Sequence, residues 1–126
     1  MRIIGLSIGY ASYDVERAAL GAAGLSFDHY DNLADIPAPE EVTAVMVRQH
    51  PVDDQMMQQF PDLRMIQRYG VGVDNVDLDA AARRNITVCN TPDYGQEHEV
   101  SDHAIALYLA LSRNIVSRDA EVRGGK

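Results

Sequence analysis

Lysine is almost missing from this chain: ten of its eleven basic residues are arginine, and the only lysine is the last residue, Lys126. Chemistry that needs an internal amine is excluded. Cysteine is reduced to Cys89, which has no partner for an internal disulfide, so a reducing cytoplasm is the expected compartment. The start Met1-Arg2-Ile3-Ile4-Gly5 lacks the apolar stretch and cleavage site of a secretory signal. Long apolar runs are lacking too; the longest, residues 104–111, is far too short to span a bilayer, and no membrane role is expected. Positive charge is scarce. At a formal net charge of -8 the chain repels nucleic acid and anionic lipid, so an anionic ligand has to be held by local geometry.

What remains is ordinary. With 126 residues, 46% hydrophobic and 24% charged, the chain matches one soluble globular domain. A core of that size buries roughly two-thirds of the surface the unfolded chain exposes. Strand-like and helix-like segments alternate along it, the pattern of a parallel sheet wrapped by helices. Residues 2–8 read as a strand, 13–23 as a helix stopped by Gly24, and 25–30 as a weaker strand. Pro37 and Pro39 make 31–41 a loop with little regular structure. A strand over 43–48 leads to Pro51 and Asp53, which start a helix running to Phe60 and closed by Pro61. Residues 63–69 form the next strand. Residues 77–84, acidic at the start and basic at the end, then match a helix dipole, with Asn85 as the stop. Residues 86–89 make a fifth strand, and a single long helix is expected from 97 to 118, with a linker-like tail at Arg123-Gly124-Gly125-Lys126. The whole predicts an α/β fold, a flavodoxin-like doubly wound five-stranded parallel sheet of order 2-1-3-4-5 with a long C-terminal helix. Such sheets bind ligands beyond the carboxyl ends of their strands.

The segment Ala104-Ile105-Ala106-Leu107-Tyr108-Leu109-Ala110-Leu111 is apolar almost all round. Such a helix needs cover on more than one side, from a second subunit or another domain, unless it is the central helix of a compact monomer. A homodimer through the 97–118 helix is the expectation.

The most informative stretch is Arg68-Tyr69-Gly70-Val71-Gly72-Val73-Asp74-Asn75-Val76-Asp77, which leaves a strand and enters a helix. Two glycines allow a sharp turn in which successive N–H groups converge on an anion, and a carboxylate would suit it. The plainer alternative is a tight turn that binds nothing. A dinucleotide fingerprint fits poorly, because Asn75 stands where a third glycine belongs and the helix begins late.

The run from Met65 through Arg68-Tyr69-Gly70-Val71-Gly72-Val73-Asp74-Asn75-Val76-Asp77 to Ala81 closely resembles the D-isomer-specific 2-hydroxyacid dehydrogenases. So do Val88-Cys89-Asn90-Thr91-Pro92-Asp93-Tyr94-Gly95 and Glu99-Val100-Ser101-Asp102-His103-Ala104-Ile105-Ala106-Leu107. The resemblance is specific from about Thr43 to Asn114 and only architectural before that. It implies the substrate-binding domain, residues 1–126, of a two-domain oxidoreductase that uses NAD or NADP and interconverts small 2-oxo and D-2-hydroxy acids. It also implies that the loop Tyr69, Gly70, Val71, Gly72 grips a substrate carboxylate, chiefly through the amides of Val71 and Gly72. Arg48 matches a position where phosphoglycerate-type relatives turn arginine toward substrate, with a surface ion pair as the alternative. Val100 matches an apolar residue near the nicotinamide, with helix packing as the alternative.

The segment Gly95-Gln96-Glu97-His98-Glu99 is one residue longer than the family pattern, which puts a substrate contact at Gln96 in doubt. The family's catalytic arginine, carboxylate and histidine and its glycine-rich cofactor loop have no counterpart among these residues. The resemblance therefore implies an isolated chain without turnover and without bound cofactor. A stand-alone carboxylate-binding or protein-interaction module is the competing expectation.

No metal site is expected. His98 and His103, five apart, lie about 140° round a helix from each other, and Asp102 occupies the slot of the second histidine of a zinc-protease pattern. Glu97, Glu99 and Asp102 suit a helix start instead. His29 and His50 read as surface or loop residues, and Cys89 as a small buried one. A receiver domain is excluded by the lack of a lysine after the fifth strand. A flavodoxin fits poorly, because Ser7-Ile8-Gly9-Tyr10-Ala11-Ser12 supplies only two serines for a phosphate loop.

Overall fold

The computed structural model describes residues 1–93, 95 and 97–125. Five strands form one all-parallel sheet: β1 (Arg2–Leu6), β2 (Ser26–Tyr30), β3 (Val42–Val47), β4 (Met65–Arg68) and β5 (Thr87–Cys89). They lie in the order β2-β1-β3-β4-β5, as the alternation of segments predicts. Between them run α1 (Asp14–Ala22), α2 (Asp54–Gln58) and α3 (Leu78–Arg83), and short 3-10 turns occupy Leu33–Asp35 and Pro39–Glu41. The chain divides into two units, Met1–Pro92 and Asp93–Lys126.

Side-chain alternation along the strands divides the core of the first unit into two layers. Ile4 and Leu6 of β1, Val45 and Val47 of β3, and Ile66 of β4 share a cluster with Met56 and Met57 of α2 and Ala80 and Ala81 of α3. Ile3, Phe27 and Ala44 share the opposite cluster with Tyr13 and the half-buried Leu20 of α1. Helices therefore cover both faces, as a doubly wound sheet requires. A Cβ on Gly5 would stand 2.7 Å from Ile8 Cδ1 and 2.9 Å from Phe27 Cζ, so a larger residue there would force these side chains of the second layer to shift.

Both middle helices start where their aspartates direct. Asp53 Oδ1 accepts from the Met56 N–H and Asp77 Oδ1 from the Ala80 N–H, each at 2.8 Å, which satisfies a donor that the first helical turn leaves free. Asn85 ends α3 at φ 56°, a left-handed value that asparagine tolerates. Arg84 Nε then reaches Asp54 Oδ1 at 2.8 Å and ties α3 to the start of α2. That hydrogen bond, with a second from Gln58, holds the Asp54 carboxyl below its ordinary range.

The second unit departs from expectation. In place of one helix over 97–118 there are two, α4 (Glu97–Ser112) and α5 (Ile115–Arg123), and helix runs past 118 as far as Arg123, the first residue of the 123–126 tail expected as linker. The break falls at Asn114, whose φ of 52° and ψ of 38° stop one helix and begin the next. Asparagine visits this conformation more readily than most residues, and the helical periodicity of its neighbours hides it. Val100, Ile105, Leu107, Tyr108, Leu109 and Leu111 of α4 are all exposed. Gln96 and the side chain of Glu97, both singled out from the sequence, lie outside the described residues. No helix among the described residues is long and apolar enough to cross a membrane.

Candidate functional site

Because all strands run the same way, the segments following β1, β3 and β4 emerge at one edge of the sheet. Val47 and Arg68 are register partners at the ends of β3 and β4, and the Tyr69 N–H donates to the Val47 carbonyl at 2.8 Å. Arg48 and Tyr69 thus leave the sheet side by side. The two segments stay joined further on. Val52 N–H donates to the Asn75 carbonyl at 2.8 Å, Asp77 N–H to the Val52 carbonyl at 2.9 Å, and Asn75 Nδ2 to the His50 carbonyl at 2.7 Å.

Within this frame the loop 70–72 is held by its carbonyls. Thr91 N–H donates to the Gly70 carbonyl at 3.0 Å, and Asn90 Nδ2 donates to the Val71 carbonyl at 2.7 Å. The N–H groups of Gly70, Val71 and Gly72 have no acceptor among the described residues. Val71 and Gly72 are exposed. An N–H left without a protein partner is a donor for water or a ligand. Gly70 has φ 123°, which only glycine adopts without strain, and this angle sets the direction of the turn.

The charges around the loop oppose one another. Asp74 places a carboxylate beside Gly72, where an added Cβ would come 3.1 Å from Asp74 Oδ2. Arg68 lies behind Gly70 and donates from Nη1 to the Tyr69 carbonyl at 2.7 Å, while its buried Nε has no partner among the described residues. Arg48 is exposed, and among the described residues it has a cation–π contact with Tyr10 in place of an ion pair, with Cζ 5.5 Å from the ring centroid. Two guanidinium groups, Arg48 and Arg68, and the carboxylate of Asp74 thus flank the loop.

The Tyr69 side chain turns from the loop toward α1. Its hydroxyl donates to Glu16 Oε1 at 2.8 Å, and the ring meets Tyr10 edge to face at 5.7 Å. Burial first, and the Glu16 hydrogen bond second, push the phenol above its ordinary pKa, so it stays a neutral donor. His29, expected as a surface or loop residue, is a half-buried member of β2, stacked on Tyr13 at 4.1 Å and joined to its hydroxyl at 2.8 Å. The pleat turns it toward the face that α1 covers, which its sequence neighbours do not reveal. His50 is half-buried and lines a shallow cleft of about 340 Å³ with Leu33, Asp53 and Met56. Cys89 is half-buried at the end of β5.

This geometry does not suit a dinucleotide. The loop reaches no helix until Leu78, the side chain of Asn75 is engaged with the His50 carbonyl, and Asp77 caps α3 with a negative charge where a pyrophosphate would have to approach.

Residues 15–121 match the D-isomer specific 2-hydroxyacid dehydrogenase catalytic domain. The chain belongs to this family. It is 40% identical over 97 residues to a D-3-phosphoglycerate dehydrogenase of Mycobacterium leprae, covering 76% of this chain and 18% of that one. It is 43% identical over 75 residues to a glyoxylate reductase of Pyrococcus furiosus, covering 60% of this chain and 22% of the relative. It therefore spans about a fifth of the length of these curated relatives. Among solved structures, a 2-hydroxyacid dehydrogenase of Ketogulonicigenium vulgare Y25 superposes with a TM-score of 0.74 at 30% identity, over 99% of this chain and 40% of that one. D-lactate dehydrogenase of Aquifex aeolicus, solved with NAD and lactic acid, reaches 0.78 at 21% identity over 98% of this chain and 37% of its own, a likeness of fold alone.

Of the residues that the resemblance to these dehydrogenases singles out, Arg48, Tyr69, Gly70, Val71 and Gly72 meet at the carboxyl edge of the sheet. Val100 belongs to α4 of the second unit and is 69% exposed. Arg68, Tyr10, Asn90 and Asn75 also meet at this edge, and the sequence alone assigns none of them a place in the site. Arg68 ends β4 and Tyr10 follows β1, both at the ligand-binding edge of such a fold, which is a signal the sequence carries. The two asparagines carry no such signal, since their partners are backbone carbonyls 19 and 25 residues away.

Proposed function

We propose that residues 1–126 form the substrate-binding domain of a D-isomer-specific 2-hydroxyacid dehydrogenase, holding the carboxylate of a small 2-oxo or 2-hydroxy acid on the amides of Val71 and Gly72. One observation carries this reading: the loop's carbonyls are tied back by Asn90 and Thr91 while its N–H groups stay without an acceptor among the described residues. Successive backbone donors left free can hold an anion without a net positive surface, as an acidic protein requires. Arg48 and Arg68 add charge on the same edge. In this reading NAD or NADP supplies the hydride chemistry from a domain outside these residues, and the isolated chain binds acid without turning it over.

Titration of the ¹⁵N-labelled chain with glyoxylate is expected to shift the Val71 and Gly72 amide signals, with a dissociation constant on the order of a millimolar. The same chain with NADH and glyoxylate should oxidise no NADH. Unmoved amide signals would remove the carboxylate reading, and measurable turnover would remove the claim that a further domain is needed.

The exposed apolar side chains of α4, Ile105, Leu107, Tyr108, Leu109 and Leu111, support a homodimer as their cover. The contact would run along α4, since the break at Asn114 rules out a single helix to 118. Sedimentation at high concentration should show a dimer; a single monomeric species throughout would end this reading.

A further inference from the structure

Five arginines, Arg2, Arg17, Arg84, Arg118 and Arg123, have carboxylate partners. Arg48, Arg64, Arg68, Arg83 and Arg113 have none among the described residues, and of these Arg48 is the one set against an aromatic face, 5.5 Å from the centre of the Tyr10 ring. The difference matters for chemistry. A carboxylate would occupy the N–H edge of the guanidinium, whereas an aromatic face holds the cation and leaves its N–H donors free for a ligand.

Tyr10 is itself held from three directions. Its N–H donates to the Tyr13 hydroxyl at 3.2 Å, and its ring packs edge to face on Tyr69 at 5.7 Å and tilted against Tyr13 at 6.4 Å. Tyr13 is 8% exposed and bonded to His29, so the support reaches into the core. Tyr69 opens the amide loop, so the same ring contacts link the segment after β1 to the segments after β3 and β4.

We propose that Tyr10 is a positioning residue: its ring face fixes the Arg48 guanidinium at the sheet edge from which the loop 70–72 also emerges, and so favours acids that carry a second anionic group beyond the carboxylate. This rests on the carboxylate reading above. The amides hold the first anionic group, and Arg48, kept at a set place with its donors free, holds the second.

The full chain, unaltered and as Tyr10→Leu and Tyr10→Phe, would be titrated by NMR with glyoxylate, which has one anionic group, and with 3-phosphoglycerate, which has two. Tyr10→Leu is expected to weaken 3-phosphoglycerate binding about fivefold and glyoxylate binding less than about twofold, while Tyr10→Phe keeps both within about twofold, because the ring face carries the interaction. Without any ligand, the ring-current shift of the Arg48 δ-protons should vanish in Tyr10→Leu and persist in Tyr10→Phe. Equal weakening of both acids would overturn the proposal, since Tyr10 would then merely support the loop. An unchanged Arg48 shift in Tyr10→Leu would overturn it as well. If the unaltered chain bound neither acid, the carboxylate reading itself would fall and the selectivity with it. That result is distinct from an Arg48 shift indifferent to Tyr10, which strikes this proposal alone.

Discussion

Gly70→Val is expected to abolish glyoxylate binding and to cost about 2–3 kcal/mol of stability. The cause lies in the backbone. Gly70 has φ 123°, and a β-branched residue cannot adopt that angle without severe strain. Space is short as well, since a Cβ there would lie 1.8 Å from Arg68 Nη1. The Arg68 side chain can swing aside, at the loss of its hydrogen bond to the Tyr69 carbonyl. The φ strain cannot be relieved that way. Relief needs a rotation about the N–Cα bond of residue 70, which swings the chain that follows, draws the Gly70 and Val71 carbonyls from Thr91 and Asn90, and re-aims the Val71 amide. Urea unfolding and glyoxylate titration of the same variant measure both effects. A folded Gly70→Val chain that kept its glyoxylate affinity would show that the ligand sits elsewhere.

Phe60→Ala should lower stability by about 3–5 kcal/mol, the usual cost of truncating a buried phenylalanine. Phe60 is 2% exposed and follows α2, and it belongs to the cluster of Ile4, Val45, Val47, Met57 and Ile66. Its backbone is fixed on both sides: its N–H donates to the Met57 carbonyl, and its carbonyl accepts from the Leu63 N–H. The neighbours therefore cannot easily fill the void. Since domains of this size are stable by about 5–15 kcal/mol, the variant should lose a large part of its cooperative transition in urea. A loss below about 1 kcal/mol would mean that the site collapses around the smaller residue, and that this layer of the core is looser than its burial indicates.

Both predictions concern features visible in the sequence to different depths. Phe60 stands between a helix and Pro61, so its place at a helix end is readable, but its near-complete burial is not. Gly70 stands in a motif whose turn is readable, and its resemblance to a family loop is specific. The hands that hold the loop are not readable: Asn90 and Thr91 come from the segment after β5 and arrive only because β5 pairs beside β4. Tyr69 shows the same division. Its membership of the loop follows from the motif, while the hydrogen bond that points its hydroxyl at Glu16 crosses 53 residues.

By itself, the sequence determined the order of strands and helices, the two middle helix starts at Asp53 and Asp77, and the glycine turn after β4. Each depends on interactions between residues a few places apart, which an unfolded chain already contains. Tertiary structure alone decided that Tyr10 meets Arg48 and Tyr69, that His29 stacks on Tyr13, and that the Gly70 and Val71 carbonyls are occupied while the loop's amides have no acceptor among the described residues. These contacts come into being when parallel strands align their carboxyl ends, because only then do distant segments share one edge of the sheet.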